Sequence, residues 1–160
     1  MQWIAVPAPI GALGVAAADD EITRVHFGGV GRHSVATAPA PVLAAAAAQL
    51  DAYFAGELTD FQLPLAAPDG SDFERAVWKA IADIGYGEMA TYGDIAKLVG
   101  DKEAARAVGI ACNHNPLPII VPCHRVVGAG GKLVGFGGGL DRKRFLLNLE
   151  ARVKIERDFQ

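Results

Sequence analysis

Ile119-Ile120-Val121 is an apolar run that stops at Pro122, and the next residues are Cys123-His124-Arg125-Val126. A short continuous run of this kind reads as a buried strand, and a proline, having no amide proton, ends one. The pattern presents a cysteine at the exit of a buried element, with a histidine and an arginine beside it. The thiolate is the nucleophilic form of cysteine, and neighbouring His or Arg lowers its pKa. An unperturbed thiol is only ~7% ionised at pH 7.4, so a pKa near 6 gains roughly tenfold, about 1.4 kcal/mol. Tuning on that scale is too small to be a whole mechanism.

The chain has 160 residues, 51% of them hydrophobic, which is ample for one or two small cores. No apolar run reaches the ~18 residues of a membrane span. The start, Met1-Gln2-Trp3-Ile4-Ala5-Val6, has no basic stretch of the kind that opens a secretory signal. The only two cysteines, Cys112 and Cys123, form no CxxC pair. Free thiols without a secretion signal point to a reducing compartment, so a cytoplasmic protein with no disulfide is expected. Net charge is −3, which by itself argues against nucleic acid. Its distribution argues less: residues 1–70 carry −5 and residues 71–160 carry +2.

Residues 1–67 read as a small α/β domain. Ile10, Leu13 and Val15, then Ile22, Val25 and Phe27, are strand-like groups punctuated by Asp19-Asp20 and the glycines at 28, 29 and 31. A helix is predicted from Val42 to Phe54, with Gly56 as its stop. Pro64 to Gly70 reads as a linker. Residues 68–152 read as a mainly helical domain. Ser71-Asp72-Phe73-Glu74 has the capping-box pattern, followed by apolar positions at helical spacing and by Gly85 and Gly87 as stops. Thr91 is the expected cap of a helix to Val99, and Asp101 of another from Lys102 to Cys112. Two short helices joined by a glycine-containing turn read as helix-turn-helix. Asp141 to Glu150 is the last predicted helix, and residues 153–160 a charged tail.

The order and spacing of several motifs resemble the O6-alkylguanine-DNA alkyltransferases, a family of direct-reversal DNA repair proteins. These motifs are Phe73 to Trp78, Ala90-Thr91-Tyr92-Gly93-Asp94, Ala104-Ala105-Arg106-Ala107-Val108-Gly109, Asn115-Pro116, Pro122 to Val127, Gly135 to Leu140, and Leu146-Leu147-Asn148-Leu149-Glu150. Before residue 73 the likeness is weaker, resting on Gln49 to Gly56 and Leu63-Pro64-Leu65. The resemblance implies a ribonuclease-H-like N-terminal domain and a winged-helix-like C-terminal domain. It also implies a monomer that uses no cofactor.

The implied reaction is a single transfer of an alkyl group from O6 of guanine in double-stranded DNA to Cys123, leaving a thioether that water does not readily cleave. Some relatives also repair O4-alkylthymine. By the same resemblance His124 is the base, directly or through a water, and Glu150 orients and charge-stabilises its ring, as in hydrolytic triads. Alone, Glu150 would read as a solvated acid near a helix end. Asn115 is the family's hinge asparagine, although an Asn before proline also forms turns for local reasons. Arg106 is the side chain that fills the stack when guanine flips out, on a helix laid in the minor groove. The small residues Ala105, Ala107 and Gly109 permit that close approach. Tyr92 resembles the tyrosine that pushes the target phosphate. Backbone groups near Cys123 and Val126 would accept from the guanine amino group, and the glycine loop with Gly137 and Gly138 would cover it.

The chain departs from the pattern at Phe136, where the family commonly has tyrosine. Phenylalanine keeps a stacking wall and loses a hydrogen-bond donor to the leaving guanine. Such a loss costs about 2.7–4 kcal/mol when the donor is aimed at developing charge. Slower transfer than in a Phe136→Tyr variant is expected. No structural zinc is expected in the first domain, because no cysteine precedes residue 112. Cys112 reads as a packing residue.

Three other functions compete. A lesion-flagging relative would lack the reactive cysteine. A helix-turn-helix regulator would need base-reading side chains, and Ala107, Val108, Gly109, Ile110 and Ala111 are poor at that. A cysteine hydrolase would explain neither Arg106 nor Tyr92.

Overall fold

The structure, a computed structural model, describes residues 1–159 and divides into two compact units, Met1–Pro68 and Asp69–Gln160. In the first, β1 (Gln2–Val6), β2 (Leu13–Ala18) and β3 (Glu21–Phe27) form an antiparallel meander. Ile4 pairs with Val15, and Val15 with Val25. Asp19 and Asp20 join β2 to β3 with φ of 51° and 63°. Two left-handed residues are what a tight hairpin needs to match strand twist, and aspartate tolerates that region better than most side chains. Central β2 is buried from Leu13 to Ala17. A Cβ at Gly14 would stand 2.4 Å from the Gly29 carbonyl oxygen, so only glycine admits that neighbouring loop. Helix α1 (Pro41–Phe54) begins at a proline and buries Leu43, Ala46, Leu50 and Tyr53, the spacing of one helical face.

In the second unit α2 (Asp72–Ala82) starts from the expected box. Ser71 Oγ accepts from Glu74 N and Glu74 Oε1 from Ser71 N, each at 3.0 Å. The helix ends at Ala82, before either predicted glycine stop. A second box caps α3 (Tyr92–Leu98), where Thr91 and Asp94 exchange hydrogen bonds at 3.0 Å. The next helix, α4 (Ala105–Asn113), starts three residues later than predicted and without a side-chain cap. Asp101 does not cap it, because its carboxylate closes a turn onto Glu103 N at 3.0 Å. Helices α2, α3 and α4 enclose a core of Val77, Trp78, Ile81, Ile95, Val108 and Cys112. Trp78 Nε1 donates to the Ala111 carbonyl at 2.8 Å, so the buried indole is satisfied. Glu74 serves twice, since its other oxygen meets His114 Nδ1 at the end of α4, 2.9 Å away.

Ile119 to Val121 is not a strand. Ile119 takes φ 73° while 1% exposed, and Val121 N closes a turn onto the Leu117 carbonyl at 2.8 Å. Among the described residues, the only strand pairing near the site is parallel, between β4 (Ala90–Thr91) and β5 (Val126–Val127). The last helix, α5 (Leu140–Asp158), runs through residues 153–158 of the predicted tail. Lys143, Leu146, Glu150 and Val153 repeat at spacings of three and four and are all buried, so the inward face persists past Glu150. Gln160 lies outside the described residues.

Candidate active site

The turn that presents Cys123 is built by Asn115. Its Nδ2 donates to the Val121 carbonyl at 2.9 Å, and its Oδ1 accepts from Leu117 N at 2.9 Å. One side chain therefore holds both ends of the segment and supplies partners that a strand ladder would otherwise give. Cys123 then opens a single 3₁₀ turn, Cys123–Arg125, and is 4% exposed.

Behind it lies a buried chain of charge-assisted hydrogen bonds. His124 Nε2 and Glu150 Oε2 are 2.7 Å apart, with the histidine 0% and the glutamate 1% exposed. Arg125 grips the same carboxylate with two nitrogens, Nε to Oε1 at 2.7 Å and Nη2 to Oε2 at 3.1 Å, and its Nη1 donates to the Ile84 carbonyl at 2.6 Å. Gly87 N adds a donor to Oε1 at 3.2 Å. Gly87 has φ 74°, which glycine adopts without a steric penalty. Burial pushes the Glu150 carboxyl up, but the His124 and Arg125 contacts outweigh it and bring it to about 2. Burial pushes the His124 pKa down, against the pull of Glu150. The ring is therefore neutral near pH 7, with its proton on Nε2 facing Glu150. That leaves Nδ1 as a lone-pair acceptor, and it is buried without a hydrogen-bond partner. A neutral imidazole nitrogen with its lone pair free can take a proton from a neighbouring donor.

The histidine and arginine that follow Cys123 do not by themselves hold it as a thiolate. Burial pushes the Cys123 thiol up; the Asn115 hydrogen bond, the Lys143 charge and local backbone amides oppose it without cancelling it. The Arg125 guanidinium lies instead on Glu150. The resting form is a thiol that needs a base. Cys112, also buried, is pushed up to about 12 by burial, which keeps it unreactive.

Sequence reasoning passed over Lys143. It reads as one charge in the basic run Arg142 to Arg144, yet it is fully buried. Nζ donates to the Val126 carbonyl at 2.6 Å and lies 3.4 Å from Val134 O, Gly135 O and the Tyr92 hydroxyl. Its spacing of seven from Glu150 was the available signal. Tyr92 Oη lies 3.0 Å from Val134 O and 3.2 Å from Gly135 O, so the start of the glycine loop is tied to α3. Burial pushes this phenol up to about 12.

A cavity of about 630 Å³ opens beside these groups, lined by Tyr92, Ala105, Arg106, Gly109, Asn113 and Gly135 among others. Ala107 is exposed on the same helix but does not line the cavity. Phe136 packs against the core, and its ring lies 5.8 Å from Lys143 Nζ. Gly137 lies by Asn113, and the Gly138 carbonyl accepts from Arg142 at 3.1 Å. Cys123, His124, Glu150 and Asn115 thus form one cluster, and Tyr92, Arg106, Ala105 and Gly109 line the opening beside it. Among the described residues, no three His, Cys, Asp or Glu gather as a metal site.

Residues 72–152 match the family model of the 6-O-methylguanine DNA methyltransferase DNA-binding domain, and residues 1–67 match its ribonuclease-like domain. The chain is 48% identical to a methylated-DNA–protein-cysteine methyltransferase of Mycolicibacterium paratuberculosis, over 95% of this chain and 93% of that protein. It is 59% identical to a protein of the same name from Methanosarcina acetivorans, over 66% of this chain and 67% of the relative. Among solved structures it is similar to the Mycobacterium tuberculosis OGT in complex with DNA, at 46% identity and TM-score 0.84, covering 96% of this chain and 94% of that one. With both parts of the family matched, and a buried His124–Glu150 pair beside Cys123 in the second, the chain belongs to the 6-O-methylguanine DNA methyltransferase family.

Proposed function

We propose that this protein repairs DNA by direct reversal, moving the alkyl group of O6-alkylguanine irreversibly onto its own Cys123. The observation that carries this reading is the buried Cys123 followed in sequence by His124, whose ring meets a Glu150 carboxylate held ionised by Arg125. The Cys123 proton passes, directly or through a water, to His124 Nδ1, and the imidazolium so formed is stabilised by Glu150. Sγ attacks the alkyl carbon in line. The S–C bond forms as the C–O6 bond breaks, and guanine leaves with the electron pair. The product thioether has no easy hydrolysis, so each molecule acts once.

The partner is double-stranded DNA approached from the minor groove, with the protein acting as a monomer in the cytoplasm. The exposed Arg106 on α4, with Ala105, Ala107 and Gly109 small around it, supports close approach to a groove. Arg106 fills the gap left by the flipped base, and Tyr92 presses on the phosphate of the target nucleotide. Val126, Phe136, Gly137 and Gly138 form the base pocket, with Lys143 fixing the Val126 carbonyl. O6-alkylguanine is the first substrate and O4-alkylthymine a second.

Intact mass with peptide mapping, after mixing with a duplex bearing one O6-methylguanine, tests this. One methyl on Cys123 per protein, absent in Cys123→Ala, is the expected result. No adduct, with lesion-bearing DNA still bound preferentially, would replace this reading with a lesion-flagging one.

A further inference from the structure

The glycine loop over residues 134–139 belongs to no strand, so side chains must hold it. Gly135 and Gly139 take φ of 54° and 90° at its two ends. The Phe136 carbonyl accepts from Gly139 N at 2.9 Å, which closes residues 136–139 into a turn. The entry to that turn is tied by groups already described. The Tyr92 hydroxyl meets Val134 O and Gly135 O at 3.0 and 3.2 Å, and Lys143 Nζ lies 3.4 Å from each. Its exit is tied by another residue. Arg142 Nη1 donates to the Gly138 carbonyl at 3.1 Å. Gly138 is buried, so its carbonyl needs a partner within the protein.

Arg142 stands where a helix disfavours it. It is the third residue of α5, and the aligned peptide dipoles at a helix start repel a cation. Arg144, two residues on, is exposed and answers Asp141 at 3.5 Å. Arg142 is half-buried and turns back onto the loop instead. A charged donor makes a stronger hydrogen bond than a neutral one, which offsets the repulsion.

We propose that Arg142 is a positioning residue for alkyl transfer, pinning the exit of the turn that carries Phe136 and Gly137 and so fixing that wall of the base pocket. This rests on the alkyl-transfer reading above. Arg142 acts through Gly138 and exchanges no proton with the base or with Cys123.

Single-turnover transfer from saturating O6-methylguanine duplex is measured for the wild type, Arg142→Met and Arg142→Lys. Hydrogen exchange over residues 134–139 of the free proteins and affinity for undamaged duplex are measured alongside. Arg142→Met keeps an apolar stem and loses the donors. Its maximum transfer rate falls about tenfold, short of the ~100-fold that a misplacement of about 1 Å costs. Its Gly139 amide exchanges about tenfold faster, the opening that one lost hydrogen bond allows, while affinity for undamaged duplex is unchanged. Arg142→Lys keeps a charged donor and recovers most of the rate and the protection. Wild-type rate in Arg142→Met, or a slowed rate with unchanged loop exchange, overturns the proposal. So does a loss of affinity at an unchanged maximum rate, which would make Arg142 a phosphate contact. In each of these cases a methylated wild-type Cys123 keeps the alkyl-transfer reading standing. No adduct in the wild type removes both.

Discussion

Glu150 receives hydrogen bonds from His124, Arg125 and Gly87 on its two oxygens, so its charge has two dependants. Glu150→Gln removes that charge and leaves the Arg125 guanidinium buried without a counter-ion. Urea unfolding is expected to show a loss of about 3 kcal/mol, the range for breaking a buried pair from one side. The same groups set the acid sensitivity. A depressed histidine pKa contributes stability that is complete above the unfolded value of 6.5 and declines as pH falls below it. Glu150 adds a second decline from its ordinary 4.5 down to about 2. Unfolding free energy plotted against pH should fall in these two stages, and Glu150→Gln should lack the lower one. Lys143 acts in the opposite sense on the thiol, since its positive charge favours the thiolate. Lys143→Met is expected to move the pH-rate curve for transfer to higher pH and to slow transfer at pH 7. An unshifted curve would deny Lys143 any electrostatic part.

The turn from Asn115 to Cys123 works as one element, because a single amide bridges it at both ends. Asn115→Ala leaves Leu117 N and the Val121 carbonyl short of a partner. A loss of about 1–3 kcal/mol in thermal unfolding is expected, with slower transfer because Cys123 is no longer held. This element also shows where sequence reading stops. Both capping boxes were legible because Ser71-Glu74 and Thr91-Asp94 carry their partners at a fixed local offset. Cys123, His124, Glu150 and Asn115 were legible as parts of motifs. The segment Ile119–Val121 looked like a strand because its apolarity is real; what decides its shape is a hydrogen bond from Asn115 and a left-handed isoleucine, neither visible as a pattern. Asp101 failed as a cap because the same carboxylate closes a nearer turn. Lys143 hid among basic neighbours because charge suggests solvent, whereas its partner is a carbonyl from a distant turn.

At the scale of the whole molecule, charge limits how the protein meets DNA. The chain carries −3 overall and only +2 over residues 71–160. Few phosphates can be neutralised, so the log–log slope of affinity for undamaged duplex against salt should be shallow, about −2 to −4. A slope near −8 would show that many of the Lys and Arg of residues 71–160 gather against the phosphates despite the small net charge. Restraint of another kind follows from the seclusion of Cys123, 4% exposed and held protonated by burial. A protein that reacts once is ruined by any stray electrophile that reaches its sulfur first. Keeping the sulfur buried and protonated gives it a long shelf life, so that the supply of unspent molecules reflects lesions met rather than time elapsed.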